Sequence, residues 1–321
     1  MNKIMSLALV LIMVFGVVSF AGAADEELEL NVVMPKGTPA LSMVKMINDS
    51  SEMKDNVKLN YQTIGAVDKL SSMLITEEAD IAIVPTNLAA NIYNKEIPYK
   101  LAGSSVWGVL YLVSNQDISS FADLKGKEIN MFGRNLTPDA TLKYVLTKNG
   151  IDPDNDLDIN YFSGGAELVT NFLSKQVDTA LIPQPLLTKA LMKRKDAKVV
   201  IDIQKEWTNV TGLASYPQAS LIVNDKLIEN HPEVVELFLD KYEKETGWIN
   251  QNPKKAGEYY ENLGIGLNAK IIEKAIDKSN IEFIRSGEAK QSLKAYLGVL
   301  YDFNPKLLGG KMPDEDFYYQ R

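Results

Sequence analysis

Cysteine is absent from all 321 residues, and histidine occurs once, as His231. Without cysteine there is no disulfide, whatever the redox compartment, and no lipid attachment through an N-terminal cysteine. His231 lies in Asn230-His231-Pro232-Glu233 and reads as a surface residue where a helix begins. With no cysteine and no second histidine, a usual zinc site and a His-based catalytic triad are both ruled out. Neither a G-x-x-x-x-G-K-[ST] loop nor a G-x-G-x-x-G turn occurs. Basic residues are in deficit, 34 against 42 acidic, for a net charge of −8. That balance excludes the basic footprint of a nucleic-acid binder and suits anionic lipid poorly.

Long apolar runs are missing too, with one exception at the N-terminus. Lys3 is followed by an uncharged apolar stretch from Ile4 to Phe20, and Ala21-Gly22-Ala23 supplies small residues for cleavage. The 21 uncharged residues from Ile4 to Ala24 approach the roughly 20 that a membrane-spanning helix needs. Gly16, Gly22 and the small-residue exit favour a signal peptide over residues 1–23, cleaved near Ala23, above a retained anchor. Removal of Lys3 with that segment makes the net charge −9. The expected product is a free, exported protein of about 300 residues, periplasmic and monomeric, long enough for one large α/β domain or two smaller ones.

Short strand-like runs punctuate the chain: Leu28–Met34, Val57–Ile64, Asp80–Val84, Tyr99–Ala102, Val109–Val113, Glu128–Phe132, Leu157–Phe162, Val177–Ile182 and Ser220–Val223, with a weaker one at Lys198–Ile203. Segments of helical period lie between them, at Pro39–Ile47, Val67–Ile75, Pro138–Lys148, Glu167–Lys175 and Pro185–Met192. This alternation predicts an α/β fold with parallel sheets built from βαβ units. From Pro232 onward the sequence reads as almost entirely helical, a C-terminal layer packed back on the first strands.

In such sheets ligands bind outside the carboxyl ends of strands. The junctions there are small, polar and rich in glycine or proline: Pro35-Lys36-Gly37-Thr38, Pro85-Thr86-Asn87, Gly133-Arg134-Asn135-Leu136-Thr137, Ser163-Gly164-Gly165-Ala166-Glu167 and Pro183-Gln184-Pro185. Two readings stand for each. Thr137 either caps the helix that Pro138 opens or joins Arg134 and Asn135 in an anion site at that helix start. Thr38 caps or binds, and Lys36 is solvated or meets an anion beside Gly37. Thr86 and Asn87 cap or hydrogen-bond a ligand. Trp107 and Tyr216 form an aromatic wall or belong to the core. The acidic run Asp152 to Asp158 fails the calcium-loop pattern, with Leu157 where Gly is required, and reads as a turn.

The stretch Asp123-Leu124-Lys125-Gly126-Lys127, a strand, the Gly133–Thr137 loop, and a helix ending Lys148-Asn149-Gly150-Ile151-Asp152-Pro153 resembles the second lobe of nitrate/taurine/aliphatic-sulfonate-type ABC transporter substrate-binding proteins. Gly165-Ala166-Glu167, then Gln176-Val177-Asp178-Thr179-Ala180 and Ile182-Pro183-Gln184-Pro185, resembles the same family, as does Glu78-Ala79-Asp80-Ile81-Ala82-Ile83 in a first lobe. The resemblance implies a two-lobed type II periplasmic-binding-protein fold, with two mixed sheets flanked by helices and a cleft between lobes. Lobe 1 is expected at 24–110 and 215–321, lobe 2 at 111–214, with crossings near Val109–Ser114 and Asp202–Ser220 made of paired strands. It further implies a binding protein, not an enzyme and without a cofactor. Such a protein passes a sulfonate, nitrate, carboxylate or thiamine/pyrimidine precursor to an ABC permease in the inner membrane. The rival functions are a solute-sensing module for a receptor and a thiamine-precursor synthase-like enzyme of the same fold. The ligand contacts it implies are the junction residues named above, with Gly165, Ala166, Glu167 and Gln184 from the second lobe.

Overall fold

The structure, a computed structural model, describes residues 27–49, 53 and 56–320. The expected signal segment, 1–23, lies outside the described residues. Eleven strands and thirteen α-helices are present among them. The strands are β1 (Leu28–Pro35), β2 (Val57–Ile64), β3 (Ile81–Pro85), β4 (Tyr99–Trp107), β5 (Leu110–Ser114), β6 (Glu128–Phe132), β7 (Asp158–Phe162), β8 (Thr179–Pro183), β9 (Lys198–Asp202), β10 (Pro217–Asn224) and β11 (Ile281–Arg285). The helices are α1 (Thr38–Ser42), α2 (Val44–Asn48), α3 (Val67–Ile75), α4 (Thr86–Asn94), α5 (Thr137–Lys148), α6 (Gly165–Leu173), α7 (Leu186–Lys193), α8 (Ile203–Thr211), α9 (Asp225–Asn230), α10 (Pro232–Gln251), α11 (Pro253–Asn262), α12 (Ala269–Ala275) and α13 (Ser286–Phe303).

Two sheets result. The first has the order β11-β4-β10-β3-β1-β2 and the second β7-β6-β8-β5-β9. Each has a parallel core, β2, β1 and β3 in one and β7, β6 and β8 in the other. Antiparallel strands extend them: β10 against β3 and β4, and β5 against β8 and β9. The sheets are therefore mixed, not purely parallel. The inner parallel strands of the first sheet, β1 and β3, carry apolar runs because they are covered on both faces; Val32, Val33, Ile81, Ala82 and Ile83 are fully buried.

The chain leaves the first sheet after Trp107, joins the second at Leu110, and returns at Pro217 after α8. The expectation that Leu110–Val113 and Ala219–Val223 pair with each other is not met. The former lies between β8 and β9, the latter between β3 and β4. The reason is that each strand's apolar residues are used within its own sheet. The last third also holds a strand that the helical reading missed: β11 pairs antiparallel with the edge of β4. Its run Ile281-Glu282-Phe283-Ile284-Arg285 is short and sits between long helices, so its alternation is easily absorbed into helical period. The remaining C-terminal helices pack as a layer on the first lobe, α10 against β11 and α2, and α13 against β4.

Near the crossings the lobes are joined by aromatics. Trp207 of α8 lies 5.5 Å from Tyr216 and 5.4 Å from Tyr296 of α13, ring centre to ring centre, and all three are fully buried. Thr141 of α5 and Tyr296 share a hydrogen bond between hydroxyls at 3.2 Å. Entry to β6 is fixed by Asp123, whose carboxylate accepts from the backbone and side chains of Ser119 and Ser120. These bonds to the ionised form pull its pKa down to about 2.

Trp207→Ala is expected to lower unfolding stability by about 3–5 kcal/mol in urea titrations, since it empties a packed site between lobes. In an NMR titration Asp123 should protonate only near pH 2, against the ordinary 3.8. Its contribution to stability is then present above the ordinary carboxylate range and lost as pH falls through about 2. Ser119→Ala with Ser120→Ala should move that midpoint upward.

Candidate functional site

Strand ends of both sheets face each other across a cavity of about 590 Å³ between the lobes. From the first lobe come the β1–α1 turn, the segment after β2 (Gly65 and Ala66), Gln218 of β10, and Tyr260 of α11 with the loop 265–267. From the second come Phe132 and Gly133, Gly164 to Glu167 at the start of α6, Gln184, and Leu186 and Lys189 of α7.

The lobes touch around this cavity. Thr38 Oγ1 donates to the Gln184 carbonyl at 2.6 Å, and both residues are buried. Asn87 Nδ2 donates to the Asn135 carbonyl at 2.8 Å, and Thr137 Oγ1 donates to Asn87 Oδ1 at 3.2 Å. Helix α12 of the first lobe packs on α7 of the second. At a fourth point main chain meets main chain: a Cβ placed on Gly164 would stand 2.9 Å from the Gly65 carbonyl oxygen. The lobes are thus in contact across the cleft.

Its wall is chiefly aliphatic, with Ile64, Leu70, Val106, Leu110 and Leu186 among the lining residues. Four ionisable side chains line it: Lys36, Glu167, Lys189 and Tyr260. Glu167 is engaged, since its carboxylate accepts from the Ser163 hydroxyl at 2.6 Å and the Ser163 amide at 3.2 Å. Tyr260 accepts from the Gly37 amide at 3.1 Å, and burial holds its hydroxyl protonated well above the usual range. Burial, and then the nearby Lys193, pulls the Lys189 ammonium's pKa below its ordinary value.

The residues expected to bind divide cleanly. Lys36, Gly37, Thr38, Gly165, Ala166, Glu167 and Gln184 line the cavity. The other seven do not. Thr86 is fully buried and shares a hydrogen bond with Ser220 at 2.9 Å. Asn87, Asn135 and Thr137 are spent on the contact between lobes. Arg134 lies over the Tyr161 ring, 4.5 Å from its centre. Trp107 donates its indole N–H to the Glu282 carbonyl at 3.0 Å. Tyr216 packs in the aromatic core, which leaves it no face for a ligand. The capping roles are corrected as well. Leu136 and Gly37 occupy the cap positions of α5 and α1, and neither Thr137 nor Thr38 caps, because both hydroxyls cross to the other lobe. The acidic turn is closed by its own bonds, with Lys125 reaching Asp156 at 2.8 Å.

Sequence reasoning missed Lys189, Gln218, Tyr260 and the Gly65–Gly164 contact. Gln218, a lone amide between Pro217 and the mostly apolar run Ala219–Val223, carried a readable signal. Tyr260 carried none, being one of many tyrosines in helical sequence.

Solved structures share this architecture. An ABC transporter protein of Parabacteroides distasonis aligns with 26% identity over 92% of this chain and all of its own, with a TM-score of 0.75. The alkanesulfonate-binding protein SsuA of Xanthomonas axonopodis pv. citri, bound to MOPS, is 16% identical over 92% of this chain and 98% of its own, with a TM-score of 0.72. The periplasmic nitrate-binding protein NrtA of Synechocystis PCC 6803 is 13% identical over 87% and 82%, with a TM-score of 0.66. No curated protein is similar enough in sequence to be matched. The two-lobed periplasmic-binding-protein fold is thus established. The sequence signature described as NMT1/THI5 like matches residues 53–256, well over half of the chain, and the protein belongs to that family.

Proposed function

We propose that this chain is an exported solute-binding protein that encloses a small molecule between its lobes and hands it to the permease of an ABC importer. The observation that carries this reading is the cavity of about 590 Å³, enclosed by two lobes that touch around it and are linked by two crossings. Its size falls in the range of small-molecule sites. Opening about the aromatic joint would admit solute, a hinge motion around the ligand. The likeness in fold to sulfonate- and nitrate-binding proteins supports the same reading. So does the state of the ionisable groups. Glu167 is held by Ser163, and burial keeps the Tyr260 hydroxyl protonated, so both stand as fixed hydrogen-bonding groups on the cavity wall. Delivery in the periplasm, after cleavage near Ala23, completes the proposal.

Native mass spectrometry of protein purified without unfolding should show a bound small molecule. A thermal-shift panel of nitrate, taurine, alkanesulfonates, carboxylates and thiamine precursors should yield a stabilising compound. At about 100 times its Kd a ligand adds about 2.7 kcal/mol. Catalytic turnover of any compound would overturn the reading. Gly164→Ala tests closure. Gly164 is extended, with φ −172°, so alanine fits its backbone, but the added Cβ stands 2.9 Å from the Gly65 carbonyl oxygen and props the cleft. Ligand affinity should fall several-fold while the ligand-free melting temperature stays put; unchanged affinity would mean that the lobes need not meet here.

A further inference from the structure

The turn that leads into α5 is gripped from two sides. Within it Gly133 and Asn135 both take left-handed backbone, with φ 82° and 60°. Asparagine tolerates that region better than most residues, and it persists where surrounding groups fix it. Asp139, the third residue of α5, is almost fully buried, and its Oδ2 accepts from the Asn135 amide at 2.7 Å. Its Oδ1 accepts from the hydroxyl of Tyr161, on the edge strand β7, at 2.8 Å. The Lys143 ammonium stands 3.8 Å from the same oxygen. The Arg134 guanidinium lies over the ring of that same Tyr161. Asp139 and Tyr161 therefore hold two successive residues of one turn. A buried carboxylate is costly unless its bonds are made, and bonds to it are among the stronger ones in a protein.

What this brace presents is the Asn135 carbonyl, which accepts from the Asn87 amide of the first lobe. Asn87 is itself buried, and its remaining bonds are spoken for. The same amide donates to the Leu307 carbonyl at 3.2 Å, and its oxygen accepts from Thr137. Asn87, Asn135, Asp139 and Tyr161 all lie outside the cavity lining, whereas Gly133, Leu136 and Pro138 of the same segment belong to it. One braced segment thus carries a piece of the cavity wall and a contact with the other lobe.

We propose that Asp139 is a positioning residue for solute capture. Oriented by Tyr161, it holds Asn135 where Asn87 can meet it, and so biases the protein toward the form in which the lobes touch. A contact made in one form alone shifts the equilibrium toward that form. Asp139 acts through Asn135 and never on the solute. The inference rests on the solute-binding reading above and adds to it a control of closure remote from the solute.

The absence of cysteine makes the test clean, since Lys69→Cys on α3 and Gln176→Cys in the second lobe, both at exposed positions, place one spin label on each lobe. Dipolar distance measurements on the labelled mature protein, as purified and with no solute added, should show the separation of touching lobes. Asp139→Asn should lower that population about two- to tenfold, the worth of one net hydrogen bond, and a longer separation should appear. Tyr161→Phe removes only the hydroxyl and keeps the ring under Arg134. It should shift the distribution the same way, and it carries the test should the melting temperature show that Asp139→Asn is unfolded. Asn87→Ala should also open the lobes, and adding Asp139→Asn to it should change little further, because both act on one contact. Opening by Asn87→Ala alone, with Asp139→Asn and Tyr161→Phe silent, would overturn the role of Asp139; so would effects that add. Distances unmoved in every variant would overturn control of closure by this contact. A silent compound panel with the expected distance pattern would instead remove the solute and leave the brace.

Discussion

Everything in this molecule depends on how two separately built sheets are held against each other. Covalently they share only two crossings, and the non-covalent joint beside them is aromatic: Trp207, Tyr216 and Tyr296 in mutual contact, with no exposure to water. Large rings bury much area per residue and lose little side-chain entropy in doing so. Such a joint fixes where the lobes meet. Farther from it, contact is polar or made by main chain, through Thr38 with Gln184, Asn87 with Thr137, and Gly65 with Gly164. A few hydrogen bonds of modest net worth can be exchanged with water, whereas the buried rings cannot. The gradient from apolar joint to polar rim is what makes a closing cleft physically reasonable on this scaffold.

The cavity inherits its character from the same arrangement. Strand ends converge from both sides, and these are apolar strands whose last residues remain apolar, so the wall is aliphatic. Polar groups come from the turns that follow the strands, with Gln218 of β10, Lys189 of α7 and Tyr260 of α11. Lys189, placed on α7 beside that wall, is held in poorly solvated surroundings, and burial leads the causes that depress its pKa.

Much of the fold was legible in the sequence. The strand runs Val57–Ile64 and Glu128–Phe132 have the bounds expected of them, and others shift by a residue or a few, because β-branched and other apolar residues spaced along short runs between turn residues leave little alternative. What escaped was context. Strand β11 is a strand because β4 offers it an edge, not because of its own five residues. The binding loops were recognisable as loops, but which side chain enters the cavity depends on tertiary neighbours. Thr38 and Thr137 look alike as first residues of helices, yet one reaches across to a backbone carbonyl and the other to a side chain. Trp107 and Tyr216 look like ligand walls only until their partners, Glu282 and Trp207, come into view. Lys189 lies one turn into a helix, where nothing in local pattern marks it.

The meeting of Gly65 and Gly164 has one more consequence. Neither residue has a side chain that could turn aside, so at this one contact the approach of the lobes is limited by peptide atoms. A solute enclosed without disturbing that contact leaves the lobes at the same separation there. A membrane partner that reads only the exterior there would learn that the cleft is full, and nothing of what fills it; discrimination among solutes falls entirely to the interior.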